Sequence, residues 1–177
     1  MLRVSHPDVV FRVIGEGAER ENIEAAIRDQ GIRNVQVLPH QPRSSVPSLI
    51  WDSDVCLVLL RRSEVFKTVI PTKMLEFMAC GRPVILGVEG QALEILDAAG
   101  GGIAIPPEDA EALATAVLSL KSNHSLCDTY GLNGQAFIRE KMSRKSTALD
   151  YERLLMKLLG KEIPVSAEGL KKTAGAQ

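Results

Sequence analysis

The chain has 177 residues, 45% of them hydrophobic and 24% charged, with a formal net charge of −1. That length suits one domain whose core can form without disulfides or metals. The near-neutral charge and an aromatic content of 4% argue against nucleic acid as a partner, which would call for a basic surface or stacking platforms.

Strands and helices alternate along the chain. Residues 9–14 are a short apolar, β-branched run ending at Gly15, which predicts the first strand. Residues 16–30 predict a helix with Ile23, Ala26 and Ile27 on one face and Gly31 as its stop. The second strand is 35–38. It is closed by Pro39-His40-Gln41-Pro42, because proline lacks a ladder hydrogen. A short helix is expected near 45–51 and a third strand over 54–60. The six consecutive apolar residues Val55 to Leu60 predict burial on both faces of that strand.

A polar, charged loop over 61–70 leads to Pro71 and Thr72. These open a predicted helix over 72–80 that Gly81 closes. Met74, Leu75, Phe77, Met78 and Ala79 cover most of its circumference, so it should be largely buried. A fourth strand over 83–88, a helix over 91–98 and a short fifth strand over 102–105 follow. Residues 108–120 predict an amphipathic helix with Ala110, Leu113, Ala114, Val117 and Leu118 on one stripe. Two more helices are expected at about 126–141 and 144–159. Residues 161–177 carry few large apolar side chains and predict a flexible tail.

The alternation predicts a Rossmann-like α/β domain over 1–160, a single parallel sheet with helices on both faces. Such sheets bind ligands beyond the carboxyl ends of their strands. Those ends are the loops at Gly15, 39–42, 61–70, 88–90 and 105–107. A nucleotide domain of this type usually opens with a strand, a glycine-rich turn and a helix. Only eight residues precede the first strand here, so the chain reads as a domain entered partway, with residues 1–6 the end of a helix. Cys56, Cys80 and Cys127 are scattered and outside any metal-ligand spacing; they read as buried reduced thiols of a cytosolic protein. No apolar stretch approaches the ~20 residues that span a bilayer, and no signal peptide is visible.

The start of the helix at Pro71 is the main candidate site. A helix start presents unpaired backbone N–H groups and the positive end of the dipole, and both favour a phosphate. Glu76 lies one turn in, where a carboxylate could accept hydrogen bonds from a ribose diol; its plain alternative is a glutamate stabilised by the dipole. Thr72 is most simply a helix cap and Lys73 a solvated side chain. Arg61, Arg62 and Lys67 could neutralise a diphosphate or merely decorate a surface loop, and Glu64 partly offsets them. Gly15 and Gly17 could let the backbone approach a ligand, although a strand-to-helix turn needs glycine anyway. His40 could donate to a ligand or be structural.

In order, the chain carries Val13-Ile14-Gly15-Glu16-Gly17, Asn34-Val35-Gln36-Val37-Leu38, Ser53-Asp54-Val55-Cys56-Leu57 and Pro71-Thr72-Lys73-Met74-Leu75-Glu76-Phe77-Met78-Ala79-Cys80-Gly81-Arg82-Pro83-Val84-Ile85. Glu89-Gly90-Gln91-Ala92-Leu93-Glu94-Ile95-Leu96, Gly102-Ile103-Ala104-Ile105-Pro106-Pro107 and Asp109-Ala110-Glu111-Ala112-Leu113-Ala114 follow. This set, over about residues 9–157, resembles the C-terminal, donor-binding domain of glycosyltransferase family 4, which has the two-domain GT-B fold. The wording Phe66-Lys67-Thr68-Val69-Ile70-Pro71-Thr72-Lys73 resembles a bacterial subgroup that builds surface polysaccharides such as O-antigen, including transferases of N-acetylated amino sugars of the L-fucosamine type.

The resemblance implies a nucleotide-sugar donor substrate, UDP-linked by preference, no bound metal or cofactor, and retention of anomeric configuration. Glu76 matches the second glutamate of the family's Glu-x7-Glu motif, which holds the donor ribose. The first would fall at Thr68, so the chain departs from the pattern there, and Thr68, Val69 and Ile70 would supply backbone or hydroxyl contacts instead. The base would lie near Gln41 to Arg43. The family's basic pair for the diphosphate belongs to a strand and helix ahead of these residues, as does the acceptor domain. A polyprenyl-linked glycan acceptor, met at the inner face of the membrane, is the implied partner of the full-length enzyme, and these residues alone are expected to be inactive. Two alternatives stand beside a half-transferase: a non-catalytic nucleotide-binding module, and an inactive piece of a damaged reading frame. A dehydrogenase is disfavoured because no complete Gly-x-Gly-x-x-Gly turn opens a βαβ unit.

Overall fold

The computed structural model describes residues 2–160. Its elements in chain order are α1 (Leu2–Ser5), β1 (Phe11–Ile14), α2 (Arg20–Asp29), β2 (Val35–Leu38), α3 (Val46–Trp51), β3 (Cys56–Leu59), α4 (Thr72–Ala79), β4 (Val84–Gly87), α5 (Gln91–Ala99), β5 (Gly102–Ala104), α6 (Ala110–Ser122), α7 (His124–Phe137) and α8 (Arg144–Leu158). Short 3-10 turns at Arg43–Ser45 and Glu64–Thr68 and a π turn at Ile138–Met142 complete them. Residues up to Ala136 form one compact unit and the described residues from Phe137 onward a second. In the second, α8 exposes Tyr151, Leu155 and Leu158.

Every strand predicted from the sequence is present, and all pair in parallel. The single sheet is corrected, however. β1 pairs with β2, and β3, β4 and β5 form a separate three-stranded sheet. The expected burial of the third strand on both faces is corrected too, since Leu59 is 42% exposed. Burial on both faces is instead reached in β4, where every residue is buried. β4 lies between two strands, whereas β3 has only one neighbour among the described residues.

Helix α6 covers one face of the larger sheet. Ile85, Ala116 and Leu120 form a buried cluster with Leu57, Ile103, Val117 and Tyr130 packed against it. By the two-residue alternation of a strand, Val84 and Leu86 point the other way. Met74 and Met78 of α4 and Ala92 and Leu96 of α5 are buried outside that cluster. The expectation of a largely buried α4 holds on its methionine face only: Thr72, Lys73, Glu76 and Ala79 are exposed. Cys56 is buried, and burial pushes its thiol up to about 12; Cys80 and Cys127 are unpaired thiols as well, raised for the same reason.

One helix start and one cap depart from the sequence-based reading. Helix α2 begins at Arg20 rather than Glu16, because Ala18 and Glu19 form a turn closed by the Arg20 amide donating to the Gly17 carbonyl. Arg20 Nη1 donates to the Gly15 carbonyl at 2.9 Å and to the Leu38 carbonyl at 3.4 Å, and the side chain pairs with Glu16 and Glu24. One arginine thus ties the exits of β1 and β2 together. The other difference is at α4, where Pro71, not Thr72, is the residue before the first helical turn, and no side chain caps it.

Helix α7 reaches α4 through glycine. A Cβ on Gly131 would lie 2.3 Å from the Gly81 carbonyl oxygen, and one on Gly134 would lie 3.2 Å from Met78 Cγ. Backbone cannot yield as a flexible side chain can, so Gly131→Ala should destabilise the chain by about 1–3 kcal/mol, the usual cost of overpacking. Gly17→Ala, which meets nothing within 4 Å, should leave the urea midpoint nearly unchanged. Equal midpoints for the two variants would show that α7 does not pack here as described.

Candidate functional site

The buried methionine face fixes α4, and its start is therefore fixed in space with the opposite side open to solvent. The Met74 amide bonds back to the Pro71 carbonyl at 3.0 Å, which leaves the amides of Thr72 and Lys73 as the free donors of the first turn. Pro71 contributes no N–H. Glu76 is three and four residues on from these two positions, on the same exposed face. Helical side chains lean toward the N-terminus, which from Glu76 is the direction of the free amides. Val69 and Ile70, 39% and 36% exposed, form an apolar rim just ahead of Pro71.

The loop after β3 is held by the loop after β4. Gly90 has φ +76°, and a Cβ there would lie 2.1 Å from the Lys67 carbonyl oxygen and 2.7 Å from its carbonyl carbon. The backbone of the Glu64–Thr68 turn therefore sits directly on the start of α5. Lys67 bridges the same join: Nζ is 2.6 Å from Glu64 Oε1 and 3.7 Å from Glu89 Oε2. The hydrogen bond from Lys67 to Glu64 raises the lysine's pKa, and the Glu89 charge adds to that effect. The Thr68 hydroxyl donates to the Val65 carbonyl at 3.0 Å.

Of the residues singled out in the sequence, 67–73 and Glu76 are brought to one place by chain continuity and this seating. Arg61 lines a cleft with Leu59, Ile105, Glu108 and Asp109 at the start of α6. The Gln41 side chain donates to the Pro39 carbonyl at 3.0 Å, and Arg43 is exposed at the start of a 3-10 turn. Gly15 has φ +135°, and neither it nor Gly17 has a neighbour within 4 Å of a Cβ position. The His40 amide donates to Glu16 at 3.4 Å. Sequence reasoning missed Gly90, Glu89 and Arg20 as organising residues. A glycine directly after a buried strand and before a helix was the available signal for Gly90.

Residues 1–137 match the family described as glycosyl transferases group 1. The chain belongs to this family. Among curated relatives, this glycosyl transferase domain is 27% identical over 120 residues to a putative colanic acid biosynthesis glycosyl transferase, WcaI, of Escherichia coli K12, covering 65% of the chain and 29% of that protein. It is 28% identical over 106 residues to the putative colanic acid biosynthesis glycosyltransferase WcaL of Salmonella typhimurium, covering 59% of the chain and 26% of that protein. The chain thus spans less than a third of either relative. Among solved structures it superposes on Anabaena Alr3699/HepE in complex with UDP-glucose, with a TM-score of 0.72 at 19% identity, over 85% of this chain and 42% of that one. It also superposes on the C-terminal domain of the group 1 protein LpcC of Francisella tularensis, with a TM-score of 0.64 at 21% identity, over 80% and 74%. The fold is that of one half of a GT-B glycosyltransferase, as the sequence predicts. No described helix is long and apolar enough to cross a membrane.

The seating of the 64–68 turn has a direct test. Gly90→Ala combines a positive φ with a backbone overlap, so amide exchange across 64–70 should accelerate strongly. Lys67→Met removes only a solvent-screened ion pair and should accelerate it less. The reverse order would mean that charge, not backbone contact, holds the loop.

Proposed function

We propose that these residues are the nucleotide-sugar-binding part of a retaining, family 4 type glycosyltransferase of surface-polysaccharide synthesis. The observation that carries the reading is the open start of α4, with two free amides beside Glu76, inside the stretch that matches the family. The diphosphate of a UDP-sugar docks on the amides of Thr72 and Lys73, where N–H groups and the dipole favour an anion. Glu76 accepts from the ribose hydroxyls, and the base lies toward Gln41 and Arg43. During transfer the acceptor hydroxyl oxygen bonds to the anomeric carbon as the bond from that carbon to the diphosphate oxygen breaks; the electron pair leaves with the diphosphate, which takes up the acceptor's proton. Fixed N–H groups aimed at that developing charge stabilise it without reorganisation. The colanic acid naming of two relatives and the amino-sugar wording of 66–73 support an envelope glycan as product. The full-length enzyme then works on a polyprenyl-linked acceptor at the cytoplasmic face of the membrane.

Calorimetry with UDP, GDP and ADP on the folded chain is expected to give weak binding, strongest for UDP. Glu76→Gln should weaken it and Glu76→Ala weaken it more, each lost charge-assisted hydrogen bond costing about 1.5–3 kcal/mol. The preference for ribo- over 2′-deoxynucleotide should shrink in both variants. No heat at millimolar nucleotide, or mutants that lose stability yet keep the ribose preference, would remove Glu76 from the site.

A second expectation concerns turnover. Positioning of the acceptor against the donor supplies up to ~7–11 kcal/mol of a barrier, and the relatives carry most of their length outside the matched stretch. The chain alone should therefore transfer no sugar from a pool of nucleotide sugars to membrane lipid acceptors. Robust turnover would place a complete acceptor site within these 177 residues.

A further inference from the structure

The loop that follows β2 has few anchors. Pro39 and Pro42 have no N–H to donate. Two of its bonds are local: the Gln41 side chain donates to the Pro39 carbonyl at 3.0 Å, and the Ser45 amide donates to the Pro42 carbonyl at 2.9 Å. Beyond the strand ladder, the bonds that tie the end of β2 and this loop to another element run, among the described residues, to positions 15–20. The Gly15 amide donates to the Leu38 carbonyl at 3.1 Å, Arg20 Nη1 to the same carbonyl at 3.4 Å, and the His40 amide to Glu16 Oε1 at 3.4 Å.

Arg20 is the centre of these ties. Its Nη1 also lies 2.9 Å from the Gly15 carbonyl oxygen and 2.9 Å from Glu16 Oε1, and its Nε lies 2.9 Å from Glu24 Oε1. The Arg20 side chain is 23% exposed, against 59% for Glu16. An exposed ion pair contributes little, but charge-assisted bonds from a half-buried guanidinium to backbone carbonyls are of the stronger kind. A guanidinium is a rigid planar fork. Glu24, one turn on, holds one edge of that fork, which leaves Nη1 on the two strand exits and on the carboxylate that receives the His40 amide.

Gln41 keeps its main-chain N–H and C=O without a partner among the described residues. A donor beside an acceptor matches a base edge that presents an acceptor beside a donor, as uracil does with O4 and N3–H. Adenine presents the reverse order. Discrimination by hydrogen bonds is strong because the wrong partner leaves polar groups unpaired. It requires the reading groups to be held within about 0.5 Å. The anchors of 39–43 therefore bear on the choice of base, whereas the start of α4 is fixed separately by Met74 and Met78.

We infer that Arg20 is the positioning residue for nucleobase selection. It touches no part of the nucleotide. Through the Gly15 and Leu38 carbonyls and the Glu16 carboxylate it sets where Gln41 stands, and so decides which base the loop accepts. The inference rests on the proposed nucleotide site and adds to it a residue outside the matched motifs. A lysine at this position would offer one point of charge in place of the fork and would hold fewer of these groups at once.

Titration of the isotope-labelled chain with UDP and with ADP, read at each amide, tests it. In the wild type, UDP should bind more tightly than ADP and should shift the Gln41 amide as well as those of Thr72 and Lys73. In Arg20→Met, UDP affinity should fall several-fold toward that of ADP, ADP affinity should hold, and the preference for ribo- over 2′-deoxynucleotide should stay. Arg20→Lys should recover part of the loss. Glu16→Ala, which removes the His40 acceptor but leaves Arg20 on both carbonyls, should lose less than Arg20→Met. Slow exchange of the Val13 and Val37 amides shows that β1 and β2 persist; where Arg20→Met fails that check, Arg20→Lys and Glu16→Ala carry the comparison. A folded Arg20→Met with its preference for UDP intact, or with equal losses for UDP and ADP, would overturn the inference alone. A wild type in which neither nucleotide shifts Thr72, Lys73 or Gln41 would remove the nucleotide site and the inference with it.

Discussion

The burial of β4 is the constraint from which the candidate site follows. Val84, Ile85 and Leu86 are fully buried, with β3 and β5 on either side, so the helices on both faces have one fixed reference. Met74 and Met78, likewise fully buried, fix the rotation of α4. Once that rotation is set, Thr72, Lys73 and Glu76 have to face solvent. Truncating either methionine would cost about 2–5 kcal/mol and loosen the rotation that presents the free amides. The exposure of the candidate anion site thus derives from apolar packing on its far side.

The strands were legible because short β-branched runs bounded by glycine and proline leave few alternatives, and the parallel class followed from their alternation with helices. The start of α4 was legible for a similar local reason: a proline ahead of an apolar run and a glycine after it bracket the helix. What escaped was non-local. Nothing in the pattern of 9–14 or 54–60 says which strand lies beside which, so one sheet was expected where there are two. The burial inferred for Leu59 from six consecutive apolar residues presupposed a neighbour on each side. The late start of α2 escaped because the Arg20 contacts to Gly15 and Leu38 join positions 5 and 18 residues apart in sequence.

The site was half legible. Glu76 and the residues from Lys67 to Lys73 are contiguous, so their proximity needed no fold. Gly90 shows in the sequence only as a turn signal, because its importance is a contact with the Lys67 backbone, 23 positions away. The departure at Thr68 from the glutamate of the resembled pattern gains a physical setting from that contact. The turn holding Thr68 is anchored by its backbone on α5 and bears its own carboxylate, Glu64, which pairs with Lys67.

Charge in the loop after β3 therefore has a different meaning in the folded chain than in the sequence. Read linearly, Arg61, Arg62 and Lys67 are a cationic cluster that could gather a diphosphate. In the structure Lys67 lies between two carboxylates, and Arg61 lines a cleft that also holds Glu108 and Asp109. The groups left to meet an anion at α4 are the exposed Lys73 side chain and backbone amides, whose positions are set by helix geometry. Amides in a fixed turn distinguish anions by shape and lose little to salt screening at contact distance, whereas a lysine recruits any anion and is screened within a Debye length of about 8–10 Å. Tight binding at such a start then depends on what the remainder of the ligand touches, the role the proposed function assigns to Glu76, one turn along the same exposed face.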